Sequence, residues 1–145
     1  MFFWKRKPSY LRAMDWFKGH MVLGQGIIVH TKQRVPYAEV TGYFIPTLYQ
    51  WGETELARTC TRWLMSIQHA DGAFPAPDGV PYSFDTAQIM RGLCAARGDV
   101  DGAEAALRKA CDWMLTQALR KAASAPSTSP RAAHSPRMIC AVSKE

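Results

Sequence analysis

The strongest constraint on this chain is an internal repeat. Sliding the second half of the sequence over the first aligns Thr41 with Thr86 and Leu48 with Leu93 at an offset of 45 residues. Arg58 then aligns with Arg108, Trp63 with Trp113, and the apolar Met65 with Leu115, at an offset of 50. The extra five residues fall around Gly98-Asp99-Val100-Asp101-Gly102, a loop sequence in which added length costs little closure entropy. Each unit reads as a helix, a short connection and a longer Trp-bearing helix. A helical hairpin of this size cannot bury both of its apolar faces alone, so such units stack on neighbours in an open solenoid or a closed ring.

Hydrophobic periodicity fills in the elements. A first helix is expected from Ser9, a favourable N-cap, through Leu11, Met14 and Phe17 to Gly19. Gly24 and Gly26 bracket a turn, and Ile27-Ile28-Val29 is a β-branched run that fits a short strand or extended packing, followed by a polar loop. The segment from Tyr37 to Glu53 suits a helix provided that Pro46 falls in its first turn or kinks it. Thr54 caps a run with Leu56, Cys60, Trp63, Leu64 and Ile67 at helical spacing, and the Pro- and Gly-rich residues 70 to 82 make a loop. Asp85-Thr86 opens a helix bearing Ile89, Leu93 and Cys94, and Ala103 to Met114 supplies another. The fold class expected is all-α, divided into an N-terminal helix (1–25), two hairpin repeats (26–117) and a tail (118–145). That tail, rich in Ala, Ser and Pro, is expected to be disordered and to mark a truncated or out-of-frame end.

Charge narrows the function classes. The formal net charge is +6, but residues 1–34 carry +6, residues 35–119 carry −4 and residues 120–145 carry +4. The repeats are therefore acidic, and no helix or ribbon with base-reading side chains accompanies the basic ends, which argues against nucleic acid as partner. Met1-Phe2-Phe3-Trp4 precedes Lys5-Arg6-Lys7, the reverse of a secretory signal, and no stretch approaches a membrane span. Cys60, Cys94, Cys111 and Cys140 lie far apart without Cys-x-x-Cys spacing, so neither a metal site nor a disulfide framework is signalled, and a cytoplasmic location is expected.

Four short motifs punctuate the repeats. They are Tyr37-Ala38-Glu39-Val40-Thr41-Gly42-Tyr43; Pro46-Thr47-Leu48; Gln68-x-x-Asp71-Gly72; and Phe84-Asp85-Thr86-x-Gln88. With them, residues 26 to 117 resemble the α/α toroid superfamily, which includes terpenoid cyclases, protein prenyltransferase β-subunits and six-hairpin carbohydrate-active enzymes. Within it they resemble most the polysaccharide biosynthesis protein VpsJ family, with Ala38 where that family has Pro. Gln117 repeats Gln68, but no Asp-Gly follows it. The resemblance implies helical hairpins of an incomplete toroid acting in bacterial exopolysaccharide production.

Gln-x-x-Asp-Gly has a sufficient structural explanation: Gly72 takes a positive φ, Asp71 bonds its own turn and Gln68 ties a helix end to the next repeat. Glu39 and Asp85 precede Thr41 and Thr86 near the starts of two helices that would line a ring's interior. There, paired carboxylates serve as acid and base, or acid and nucleophile, on a sugar. The structural reading of the same residues is an N-cap for Asp85 and a favourable helix-terminus charge for Glu39. Tyr37, Tyr43, Tyr82, Phe84, Trp51 and His30 fall where a ring's mouth would lie, and of these Tyr37, Tyr43, Tyr82 and His30, with Gln88, form the expected substrate-binding set. No Asp-rich motif for carbocation chemistry and no zinc-ligand set occurs, so no metal or other cofactor is expected. The function expected is binding or modification of an oligosaccharide or polysaccharide precursor. The alternative is a non-catalytic helical-repeat scaffold or fragment that self-associates through its exposed repeat face.

Overall fold

A computed structural model describes residues 8–124. Helix α1 (Ser9–Gly19) buries Met14 and Phe17, while Leu11 stays 37% exposed. Pro8 occupies the N-cap position, so Ser9 is the first helical residue and not its cap. The chain then forms a two-stranded antiparallel ribbon, β1 (Ile28–His30) and β2 (Gln33–Pro36), with Ile28 opposite Pro36 and His30 opposite Gln33. Most of the segment expected to be a polar loop is thus the second strand of that ribbon.

Four helices follow: α2 (Ala38–Gln50), α3 (Thr54–Ile67), α4 (Ser83–Ala96) and α5 (Ala103–Ser124). The fold is all-α apart from the small ribbon. Glu53 and not Thr54 is the N-cap of α3, and Asp85 lies inside the first turn of α4 and does not cap it. Of the two expected alternatives for Pro46 the first-turn one does not hold: α2 begins at Ala38, which leaves Pro46 in the helix interior. Helix α5 continues through Ser124, seven residues past the boundary expected for the tail at 118. The expectation of disorder over 125–145 lies outside the described residues, as does the start of the 1–25 segment.

Each hairpin (α2 with α3, α4 with α5) is packed along its length, and the most extensive contact joins α2 to α4. Glycine makes that crossing close. A Cβ on Gly42 would stand 2.5 Å from Ile89 Cα, and a Cβ on Gly92 would stand 2.5 Å from the Gly42 carbonyl oxygen. Pro46 has no N–H to offer the carbonyl four residues before it, so the Gly42 oxygen that faces Gly92 is one the helix itself leaves unbonded. The core around this crossing is Ile45, Leu48, Leu64, Phe74, Ile89 and Leu93, all fully buried.

Helix α1 meets the first hairpin through a few side chains. Phe17 stacks on Phe44 at 4.4 Å, and Lys18 pairs with Glu53 at 2.8 Å. Between the hairpins, Gln68 Nε2 donates to the Gly72 carbonyl (3.0 Å) and to the Ala106 carbonyl of α5 (2.9 Å). Asp71 Oδ1 accepts from the Ala73 N–H, and Gly72 has φ +98°. The structural role expected of Gln-x-x-Asp-Gly is what this geometry performs.

Candidate functional site

The repeat reaches further upstream than the threonines. Val35-Pro36-Tyr37 and Val80-Pro81-Tyr82 are the same tripeptide at the same offset of 45. Each proline ends an extended pairing, Pro36 with Ile28 and Pro81 with Pro75. Each tyrosine is the extended N-cap residue of the helix that follows, with φ,ψ of −113°, 121° at Tyr37 and −107°, 139° at Tyr82. Proline's fixed φ and missing donor suit it to the last position of an extended pairing, so α2 and α4 start in register from one local signal.

That register brings Glu39 and Asp85 to the same end of the α2–α4 pair. Tyr37 Oη donates to Asp85 Oδ2 at 3.0 Å, a bond between residues 48 apart in sequence that spans the two hairpins. Asp85 is only 6% exposed. Burial raises the Glu39 carboxyl above the ordinary glutamate range, and the negative charge of Asp85 raises it further. The Tyr37 phenol is pushed up to about 12, first by burial, then by its bond to Asp85 and by the charges of Asp85, Glu39 and Asp78. Three carboxylates therefore share the surroundings of one phenol.

Asp78 is the residue that sequence reasoning missed. Placed from sequence only within the loop of residues 70 to 82, it accepts from the Val80 N–H at 2.9 Å and from Tyr82 Oη at 2.8 Å, and these bonds hold its carboxyl below the usual range. The local spacing Asp78-x-x-x-Tyr82 was the available signal, but nothing in it specified that Tyr82 would fold back on its own loop.

The other expected site residues divide. His30 and Tyr37 line an open cleft of about 750 Å³ between the ribbon and Pro77, together with Val35, Lys32 and Gln33. His30 Nδ1 accepts from the Lys32 N–H at 3.0 Å, which leaves the ring proton on Nε2. Tyr43 lies instead beside a separate apolar groove with Trp16, Val29 and Val40. Gln88 is half-buried on α4 and accepts from Arg91 at 3.0 Å. Phe84 is largely exposed. Trp51 is a correction, since it sits at the opposite end of α2 and packs on Phe44 and Tyr10. Among the described residues no three His, Cys, Asp or Glu side chains are grouped to hold a metal ion.

The repeat equivalence breaks at one atom. Thr41 Oγ1 accepts from the Ile27 N–H at 2.9 Å and donates to the Tyr37 carbonyl at 2.7 Å. Its counterpart Thr86 Oγ1 is buried beside Asp85 with no partner. No family model, curated protein or solved structure matches this chain.

Proposed function

We propose that this chain is a carbohydrate-recognising helical-repeat protein, related in architecture to the α/α toroids and working on an oligosaccharide or polysaccharide precursor. The observation that carries the reading is the Tyr37–Asp85 bond, which gathers Glu39, Asp85 and an aromatic ring at one end of the paired inner helices beside the open cleft. Sugars offer apolar faces to aromatic rings and hydroxyl edges to carboxylates. In that chemistry Glu39, whose carboxyl is raised, is the proton donor, and Asp85 is the base or nucleophile. Tyr37 positions Asp85 and presents its ring to the cleft.

A second reading rests on the burial of Asp85. A carboxylate 6% exposed and tied to Tyr37 across two hairpins also serves as a brace in a non-catalytic scaffold. The two separate by experiment. Saturation-transfer NMR against a panel of neutral and uronic-acid oligosaccharides should show contacts to Tyr37 that Glu39→Gln weakens without lowering the melting temperature. Absence of any sugar contact, with Asp85→Asn and Tyr37→Phe both lowering stability by ~1–2 kcal/mol, would leave the scaffold reading standing.

A further inference from the structure

The charge asymmetry of the chain has a structural counterpart. Asp15 is the single Asp or Glu between residues 8 and 37, a stretch that also holds Arg12, Lys32, Arg34 and Lys18, the last paired with Glu53. Immediately before it the sequence runs Phe2-Phe3-Trp4-Lys5-Arg6-Lys7. The same stretch leaves large apolar side chains in water. Leu23, at the tip of the turn closed by the Val22–Gly26 and Gln25–Val22 bonds, is 98% exposed. Trp16 on α1 is 55% exposed and stacks on His20 at 4.1 Å, and Val29 and Val35 are open on the two ribbon strands. Trp16 and Val29 border one groove, and Leu23 with Lys18 and Arg34 borders another. The segment from Met21 to Ile28 contributes to both.

We propose that this face, α1 with the Leu23 turn and the β1–β2 ribbon, docks peripherally on an anionic lipid surface. Aliphatic loop tips and half-exposed tryptophan gain by entering the headgroup and acyl boundary, and lysine and arginine around them gain from anionic headgroups. A nucleic acid would meet the cations but has no use for Leu23 or Val35. Residues 35–119 carry a net charge of −4 by contrast, so the excess of cations in this stretch is local to it. No described helix is long and apolar enough to cross a bilayer, so the contact is interfacial. The proposal does not rest on the sugar-binding reading, although Val29, Lys32 and Val35 of the docking face also line that cleft.

The test is flotation of the full chain with phosphatidylcholine vesicles containing ~30% phosphatidylserine, against pure phosphatidylcholine. Binding should require the anionic lipid, fall steeply at 0.5 M salt and shift tryptophan emission to the blue. Lys32→Glu should weaken it about tenfold or more, since each surface cation contributes and a reversal counts twice. Leu23→Ser should weaken it several-fold. Both side chains are exposed, so the circular dichroism spectrum should not change. Equal binding to pure phosphatidylcholine, no flotation at all, or a salt-sensitive association with heparin or DNA but not vesicles would each overturn the proposal. So would apolar contact satisfied by a second copy, seen as a concentration-dependent dimer that Leu23→Ser abolishes while vesicles leave the protein in solution.

Discussion

Thr41 and Thr86 occupy equivalent places in the two repeats and differ in what their hydroxyls touch. Valine keeps the shape and removes the oxygen. At Thr41 this strands the Ile27 N–H in the interior, and the expected loss is ~1–3 kcal/mol by urea melt. At Thr86 the oxygen has no partner, so Thr86→Val should be neutral or slightly stabilising. Equal losses at both positions would mean that Thr86 is satisfied in solution, by water or by Asp85. Glu39 gives a pH-dependent prediction. Its carboxyl is raised above the ordinary value of 4.5 in the folded protein, so folding favours the protonated form. Stability is fully present below the unfolded value and is lost as pH rises through the folded one. Glu39→Gln should therefore melt above the parent protein at pH 7, and the difference should vanish near pH 4.

At the scale of elements, the decisive contact is between α2 and α4. Alanine at Gly42 or at Gly92 puts a methyl carbon against backbone, which cannot rotate away as a side chain could. Each substitution should cost ~1–3 kcal/mol by forcing the helices apart. The two act on one crossing, so once the first has separated the helices the second should cost much less. A double-mutant cycle should show that coupling, and strictly additive losses would mean that the crossing is not a single contact. The same close approach explains how Pro46 is tolerated in the interior of α2. Its missing donor falls at the Gly42 carbonyl, which lies against Gly92 and not within a solvated helix surface.

At the scale of the whole molecule, the two sides of the repeat stack are finished differently. Helix α1 meets the first hairpin through Phe17 and Lys18, whereas Leu115 and Leu119, one turn apart on α5, are 62% and 71% exposed. Repeat arrays expose such a face where a further unit would stack. Light scattering should accordingly show association that grows with concentration, and Leu115→Glu with Leu119→Glu should suppress it without lowering the urea midpoint. A monodisperse protein at ~0.1 mM would mean that this face is inert.

How much of this was legible in the sequence depends on range. Helical periodicity and the 45- and 50-residue offsets determined an all-α chain of two hairpins, because apolar spacing at i, i+3 and i+4 leaves a segment little choice. The local chemistry of Gln-x-x-Asp-Gly likewise determined its own turn, down to the positive φ of Gly72. Val-Pro-Tyr, repeated at 35–37 and 80–82, was present in the sequence and carries the start of α2 and α4, yet only the extended pairings reveal what each proline terminates. Tertiary structure alone decided the rest. Pro46 could be placed only once Gly92 was known to face its orphaned carbonyl. Asp85 became a partner of Tyr37, and Asp78 of Tyr82, through one bond spanning 48 residues and one fold-back within a loop. Trp51 differs, since its place at the C-terminal end of α2 follows from the helix bounds and tertiary structure decided only its partners Phe44 and Tyr10: sequence fixes which face a side chain takes, but the neighbour across that face comes from how the helices cross.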